Sequence, residues 1–151
     1  MQQYFIDRPI TKTITIENTD DVHHITRVMR MDKGDILAVC GSEHACHAAR
    51  IEAFDSASVT LTRLYPIKDV AHPLSITLAL ALIRKPPFEL ALQKATELGI
   101  EGFIPLECDR SVIRIKASDK EKKIKRYHKI AKEASEQSRR STVPTIHPTT
   151  P

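Results

Sequence analysis

The sequence predicts an α+β protein: a small β-barrel over residues 1–70, followed by the first part of an α/β domain over residues 74–151. Three observations lead there. Short runs of alternating apolar and polar residues recur through the first part, the pattern of a small barrel. An apolar run at residues 74–82 then reads as a strand buried on both faces of a parallel sheet. After it come a helical stripe and a second apolar strand, the order of a crossover unit.

Taken in order, residues 10–16 alternate Ile10, Lys12, Ile14 and Ile16 with threonines, which suits a half-buried strand. Asn18 to Asp21 offers N-cap chemistry, and Val22, Ile25, Val28 and Met29 fall at helical spacing, so a helix is expected near residues 20–30. Gly34-Asp35 opens an apolar strand at 36–40; residues 45–53 and 58–64 supply two more, the latter with Val59 and Leu61 inward. Between residues 65 and 73 the periodicity lapses among Pro66, Lys68, Asp69, His72 and Pro73, which marks the domain boundary. Beyond the 74–82 strand, Pro86-Pro87 suits a first helical turn. Phe88, Leu90, Ala91, Ala95 and Leu98 form the stripe, closed by Gly99 as a C′ glycine. Residues 100–106 form the next strand. A long basic helix over 119–140 turns Ile124, Tyr127, Ile130, Ala131 and Ala134 inward, and residues 142–146 begin another extended segment. Two strands and two helices leave both sheet edges and an apolar face open, so the second domain is expected to be cut short.

Composition sets limits on function. With 41% hydrophobic and 28% charged residues the chain should fold around a packed core. Its longest apolar run, residues 78–83, falls far short of the roughly 20 residues that a membrane helix needs, and Met1 precedes polar Gln2 and Gln3. No membrane segment or signal peptide is expected. Three cysteines argue against a disulfide scaffold and fit a reducing compartment, with the cytoplasm as default. The net charge of +4 is unevenly spread: residues 110–140 hold twelve Lys or Arg against four Asp or Glu, while the stretches before them are slightly acidic. Such a segment suits a polyanion. Cys40, His44, Cys46 and His47 have the residue types of a zinc site. Strand alternation sends Cys46 and His47 to opposite faces, however, and Gly41-Ser42-Glu43 sits where a hairpin turn belongs, so no metal is assigned.

Several blocks, read in order, carry a resemblance. They are HHITRVMR at residues 23–30 with Gly34-Asp35, QKATELG at 93–99, Arg110-Ser111-Val112, and IAKEA at 130–134 with Glu136-Gln137-Ser138 and Arg140. Together they resemble the bacterial ribosomal RNA methyltransferases that modify N3 of a uridine in 16S RNA, and the resemblance spans the whole chain. It implies a PUA-like RNA-binding barrel followed by a SPOUT-type methyltransferase domain with a C-terminal knot that holds S-adenosyl-L-methionine. The glycine-rich loops of that knot have no counterpart here, since Gly occurs only at 34, 41, 99 and 102; the donor-binding residues are expected beyond Pro151. Arg139 stands where the family usually has glycine after Gln-Ser, and Pro86-Pro87 stands where a Gly-containing turn is common.

The resemblance also implies roles. Methylating N3 of uracil requires the Watson–Crick edge to be exposed, N3 to lose its proton and the base to be held in line with the methyl donor. Glu97, Gln137 and Arg140 are the catalytic candidates. Glu97, three residues after Lys94, either accepts the proton or orients a basic residue, or else forms an ordinary helix-end pair; Arg140 either holds a phosphate or uracil oxygen, or closes the helix. Arg27, Arg30, Lys85, Lys94 and Arg110 are expected to contact RNA. His23 and His24 cannot both face the core, so one is expected to be structural. The implied partners are 16S rRNA or the small ribosomal subunit, with a homodimer for the full-length protein. The alternative is an RNA-binding module without catalysis of its own.

Overall fold

The computed structural model describes residues 1–68, 74–111 and 113–150. The chain divides into two compact units, Met1–Val70 and Ala71–Pro151.

The first unit contains β1 (Gln3–Phe5), β2 (Thr13–Ile16), α1 (Thr19–His23), a π-helical turn (His24–Val28), β3 (Ile36–Cys40), β4 (Cys46–Phe54) and β5 (Val59–Ile67). They form one sheet in the order β1-β3-β4-β5-β2. β1 runs parallel to β3 and the other pairs are antiparallel, so among the described residues the barrel has an open seam between β1 and β2. The inward alternation of Ile14 and Ile16, Leu37 and Val39, Ala49 and Ile51, and Val59 and Leu61 converges on one core with Val22 and Ile25 from the helical segment. The first predicted strand is shorter than its sequence pattern, starting at Thr13. Ile10 is still buried, but its N–H goes to the Glu43 carboxylate at 2.9 Å instead of a ladder.

The helix near residues 20–30 needs correction. Asn18 caps it as expected, its Oδ1 accepting from Asp20 N at 3.0 Å and Asp21 N at 3.1 Å. The chain then widens: Met29 N donates to His24 O at 2.8 Å, an i to i−5 bond. The extra residue rotates the following side chains, so Val28 and Met29, expected inside, are 57% and 38% exposed, and Met31 packs against the core instead. Arg30 ends the turn at φ +50°. Of the two histidines, His24 is the structural one, with Nδ1 3.0 Å from Tyr4 Oη, and His23 is exposed. The cysteine expectation is also corrected: Cys40 and Cys46 face each other across the β3–β4 hairpin and form a disulfide. Direct register brought the two sulfurs together, and neither is available to a metal in this form.

The second unit contains β6 (Thr77–Ala81), α2 (Lys85–Glu97), β7 (Gly102–Leu106), α3 (Ala117–Ser138) and β8 (Thr145–Ile146). The strands form a parallel sheet in the order β6-β7-β8. Both helices contribute to a single core of Leu82, Phe88, Leu92, Ile100, Phe103, Tyr127, Ala131 and Ile146, in which the Phe88 ring lies 5.5 Å from Phe103 and 5.2 Å from Tyr127. Because α2 and α3 share one face of the sheet, β6 is not buried on both faces as expected. Leu78 and Leu80 reach the core, while Thr77 and Ala79 are exposed. The α2 stripe also shifts. Starting the helix at Lys85, with Pro86 and Pro87 in its first turn, turns Phe88, Leu92 and Thr96 inward at four-residue intervals, leaving Leu90 and Leu98 outside at 53% and 84% exposure.

Candidate functional site

Each helix of the second unit follows a parallel strand and runs back along the sheet. The starts of α2 and α3 therefore lie at the carboxyl ends of β6 and β7, and their ends lie at the opposite edge. An α2 of 13 residues separates the two edges by about 20 Å at 1.5 Å per residue. This places Glu97, Gln137, Arg140 and Lys94 at one edge, and Lys85 and Arg110 at the other. Arg27 and Arg30 belong to the first unit, where both are exposed on or beside the π-helical turn.

At the edge where the helices end, the polar groups hold one another. Arg140 is only 8% exposed, and its Nη1 donates to Thr96 O at 2.7 Å, tying the end of α3 to the last turn of α2. Thr96 O also accepts from Gly99 N at 3.0 Å, and as a carbonyl of the last turn it carries the negative end of the helix dipole, so a guanidinium there is stabilising. Of the two expectations for Arg140, holding a phosphate or uracil oxygen or closing the helix, this contact matches the second. Lys94 Nζ lies 3.0 and 2.9 Å from the two oxygens of Glu97, a pair with side chains 56% and 30% exposed. Gln137 is exposed. Buried Thr96 donates its hydroxyl to Leu92 O at 2.8 Å, and buried Ser135 has a hydroxyl oxygen with no hydrogen-bond partner among the described residues. Arg139 closes α3 in the left-handed conformation at φ +58° and ψ +38°, the geometry for which glycine is suited.

The other edge is built from cations. Arg84 is the N-cap of α2 and Lys116 that of α3, neither helix has a side-chain cap, and α2 has no acidic residue in its first turn. Between β7 and α3 lie the described residues 107–111 and 113–116. Glu107 Oε1 accepts from Ile115 N at 2.8 Å, Ser111 N donates to Cys108 O at 2.9 Å, and buried Ile115 plugs the core. Arg110 and Arg114 are exposed. Lys85 lies 3.8 Å from Glu89, whose carboxyl is held below its ordinary value by the hydrogen bonds from Arg126, one of them 2.7 Å. Sequence reasoning missed Arg84 and the Glu107 clasp; the signal for the first was a basic residue directly before Lys85-Pro86-Pro87.

None of the four glycines lines a shared cradle. Gly34 and Gly99 turn the chain at φ +99° and +103°, Gly41 closes a hairpin, and a Cβ on Gly102 would meet Thr77 Oγ1 at 2.7 Å.

Residues 70–151 match the family model described as an RNA methyltransferase domain, and residues 16–49 match that of an RNA methyltransferase PUA domain. The chain belongs to the RNA methyltransferase family. Among curated relatives it is 35% identical over 153 residues to ribosomal RNA small subunit methyltransferase E of Bacillus subtilis, covering 97% of this chain and 59% of that protein. It is 32% identical over 138 residues to the protein of the same name from Synechocystis, covering 91% and 43%. A solved structure described as a hypothetical protein superposes with a TM-score of 0.89 at 32% identity, covering 99% of this chain and 63% of that one. The Neisseria gonorrhoeae methyltransferase E, solved bound to S-adenosyl methionine, shares the fold with a TM-score of 0.90 at 24% identity, over 99% and 62% of the two chains. This RNA methyltransferase family member thus spans about three fifths or less of the length of these relatives.

Proposed function

We propose that this chain is the RNA-facing part of a cytoplasmic, S-adenosylmethionine-dependent enzyme that methylates N3 of a uridine in 16S ribosomal RNA. The observation that carries the reading is the pairing, in one chain and in order, of the PUA match and the methyltransferase match, each on its own compact unit. The name of the relatives supplies the substrate class.

In this reading the first unit grips RNA through exposed Arg27 and Arg30, which project from the turn that the π-helical widening rotates outward. The second unit presents the base. Arg140 acts as a positioning residue, fixing the end of α3 against the end of α2, so that Gln137 and the Lys94–Glu97 pair are displayed from a rigid edge. A splayed uracil offers two carbonyl oxygens to donors such as Lys94 or Gln137, and its N3 proton to an acceptor such as Glu97. The donor supplies an electrophilic methyl group when bound, and these residues do not hold it. In the full-length protein a second copy is proposed to complete a homodimer.

The test is methylation of small-subunit RNA by the native polypeptide with labelled donor, mapped as a reverse-transcription stop, because a methyl on N3 blocks Watson–Crick pairing. A stop at one uridine supports the reading; RNA bound but every uridine unmodified would leave the alternative of a binding module.

A further inference from the structure

The carboxyl edge of the β6–β7 sheet gathers cations that the fold itself does not use. α1 shows the ordinary arrangement, with Asn18 capping and Asp20 and Asp21 in its first turn, where negative charge meets the positive end of the helix dipole. The second unit does the reverse twice at one edge. Arg84 and Lys85 begin α2, while Lys116, Lys120, Lys122 and Lys123 crowd the start of α3 and Asp119 is the one acidic residue of its first turn. Those at the first turns, Arg84 and Lys116, oppose the dipole, and like charges three or four apart such as Lys116, Lys120 and Lys123 repel one another, each effect costing a few tenths of a kcal/mol.

The nearby carboxylates are mostly engaged. Glu89 is held by Arg126 and Lys85, Glu121 by Lys125 at 2.7 Å, and Glu107 by Ile115 N. Asp109 and Asp119 remain. Arg84, Arg110, Lys116, Lys120, Lys122 and Lys123 make no ion pair among the described residues, and exposed Arg110 and Arg114 lie between the end of β7 and the start of α3, where Glu107 accepts from Ile115 N.

We infer that this edge is a second RNA contact, distinct from the Glu97–Arg140 edge, and that it follows the sugar-phosphate backbone without reading sequence. The inference rests on the RNA-methyltransferase reading and adds to it a surface and a mode of binding. Flexible lysines and exposed arginines, with no planar pocket or stacked aromatic ring among them, are suited to phosphates and not to base edges.

Binding of the chain to a fluorescent small-subunit rRNA fragment, measured by anisotropy across a salt series, tests it. The triple variant Lys116→Ala, Lys120→Ala, Lys123→Ala should bind on the order of tenfold more weakly at low salt, with a salt slope shallower by about two, because each phosphate contact to a single strand contributes about 0.7. A charge-matched control in the first unit, Lys12→Ala, Arg63→Ala, Lys68→Ala, should keep the wild-type slope. Arg110→Gln with Arg114→Gln is an independent variant of the loop and should also flatten the slope. Equal loss in edge and control variants would mean that only overall charge matters, overturning the inference while the enzyme reading stands. If the unaltered chain does not bind RNA, the broader reading fails.

Discussion

The two edges of the second unit use the same kinds of side chain to opposite effect. Where the helices end, Arg140 is buried on a carbonyl, Lys94 is paired with Glu97 and Lys132 lies 3.6 Å from Glu136. Where they begin, basic residues of equal formal charge stand exposed at uncapped helix starts. Both sets draw on the basic stretch at residues 110–140, with Arg84, Lys85 and Lys94 added from the residues before it. The difference teaches that a positive segment is two kinds of object: cations that hold a fold together at the negative ends of helices, and cations held against the local field for something outside. Mutation should separate them.

The largest effect is expected from Arg140→Ala. Losing a charged donor from Thr96 O, with burial of what remains, should lower stability by about 2–3 kcal/mol, read as a shifted urea midpoint. An unchanged midpoint would dissolve the contrast between the two edges. Arg139→Gly should act the other way at the same edge. It relieves a left-handed backbone at φ +58° and should raise stability by about 1 kcal/mol in thermal unfolding.

A smaller effect belongs to the Glu89–Arg126 pair. The Glu89 carboxyl titrates below its ordinary value near 4.5, mainly through the Arg126 hydrogen bond, so the pair adds stability above that pH and loses it as pH falls through and below it. Arg126 is 52% exposed, so solvent screening keeps the contribution under about 1 kcal/mol. Glu89→Gln should flatten the acid limb of a stability–pH curve by that amount. The smallest change is expected from Lys116→Ala, Lys120→Ala, Lys123→Ala, which removes like-charge neighbours at the start of α3 and should raise stability by no more than about 0.5 kcal/mol. A large loss there would make those lysines structural after all.

Much of the fold could be read from the residues because each strand of the first unit buries one face, which two-residue alternation encodes directly; residues 36–40 are an instance. What could not be read came from terms that spacing does not carry. The π-helical turn adds a residue that i, i+3 and i, i+4 patterns cannot show, so Val28 and Met29 changed sides. The Cys40–Cys46 bond needs the hairpin register before the two sulfurs are known to oppose each other. β6 reads as fully buried because its residues are apolar, yet both helices lie on one side of it. Among the candidates, the motif blocks singled out Glu97, Gln137 and Arg140, but the burial of Arg140 depends on a contact 44 positions away along the chain. Arg84 and Lys116 drew no special notice because nothing local distinguishes a basic N-cap from any other exposed cation.

The Glu107–Ile115 bond has a kinetic consequence. By accepting from Ile115 N, Glu107 ties the end of β7 to the residues before α3, and with Ile115 seated in the core this restrains Arg114 when the protein folds. A surface made rigid in advance has no ordering step to slow docking, so encounter should be governed by diffusion and long-range attraction. Removing the acceptor with Glu107→Ala should leave every basic side chain in place yet slow capture relative to Glu107→Gln, which loses the same carboxylate charge but keeps an oxygen that accepts from Ile115 N.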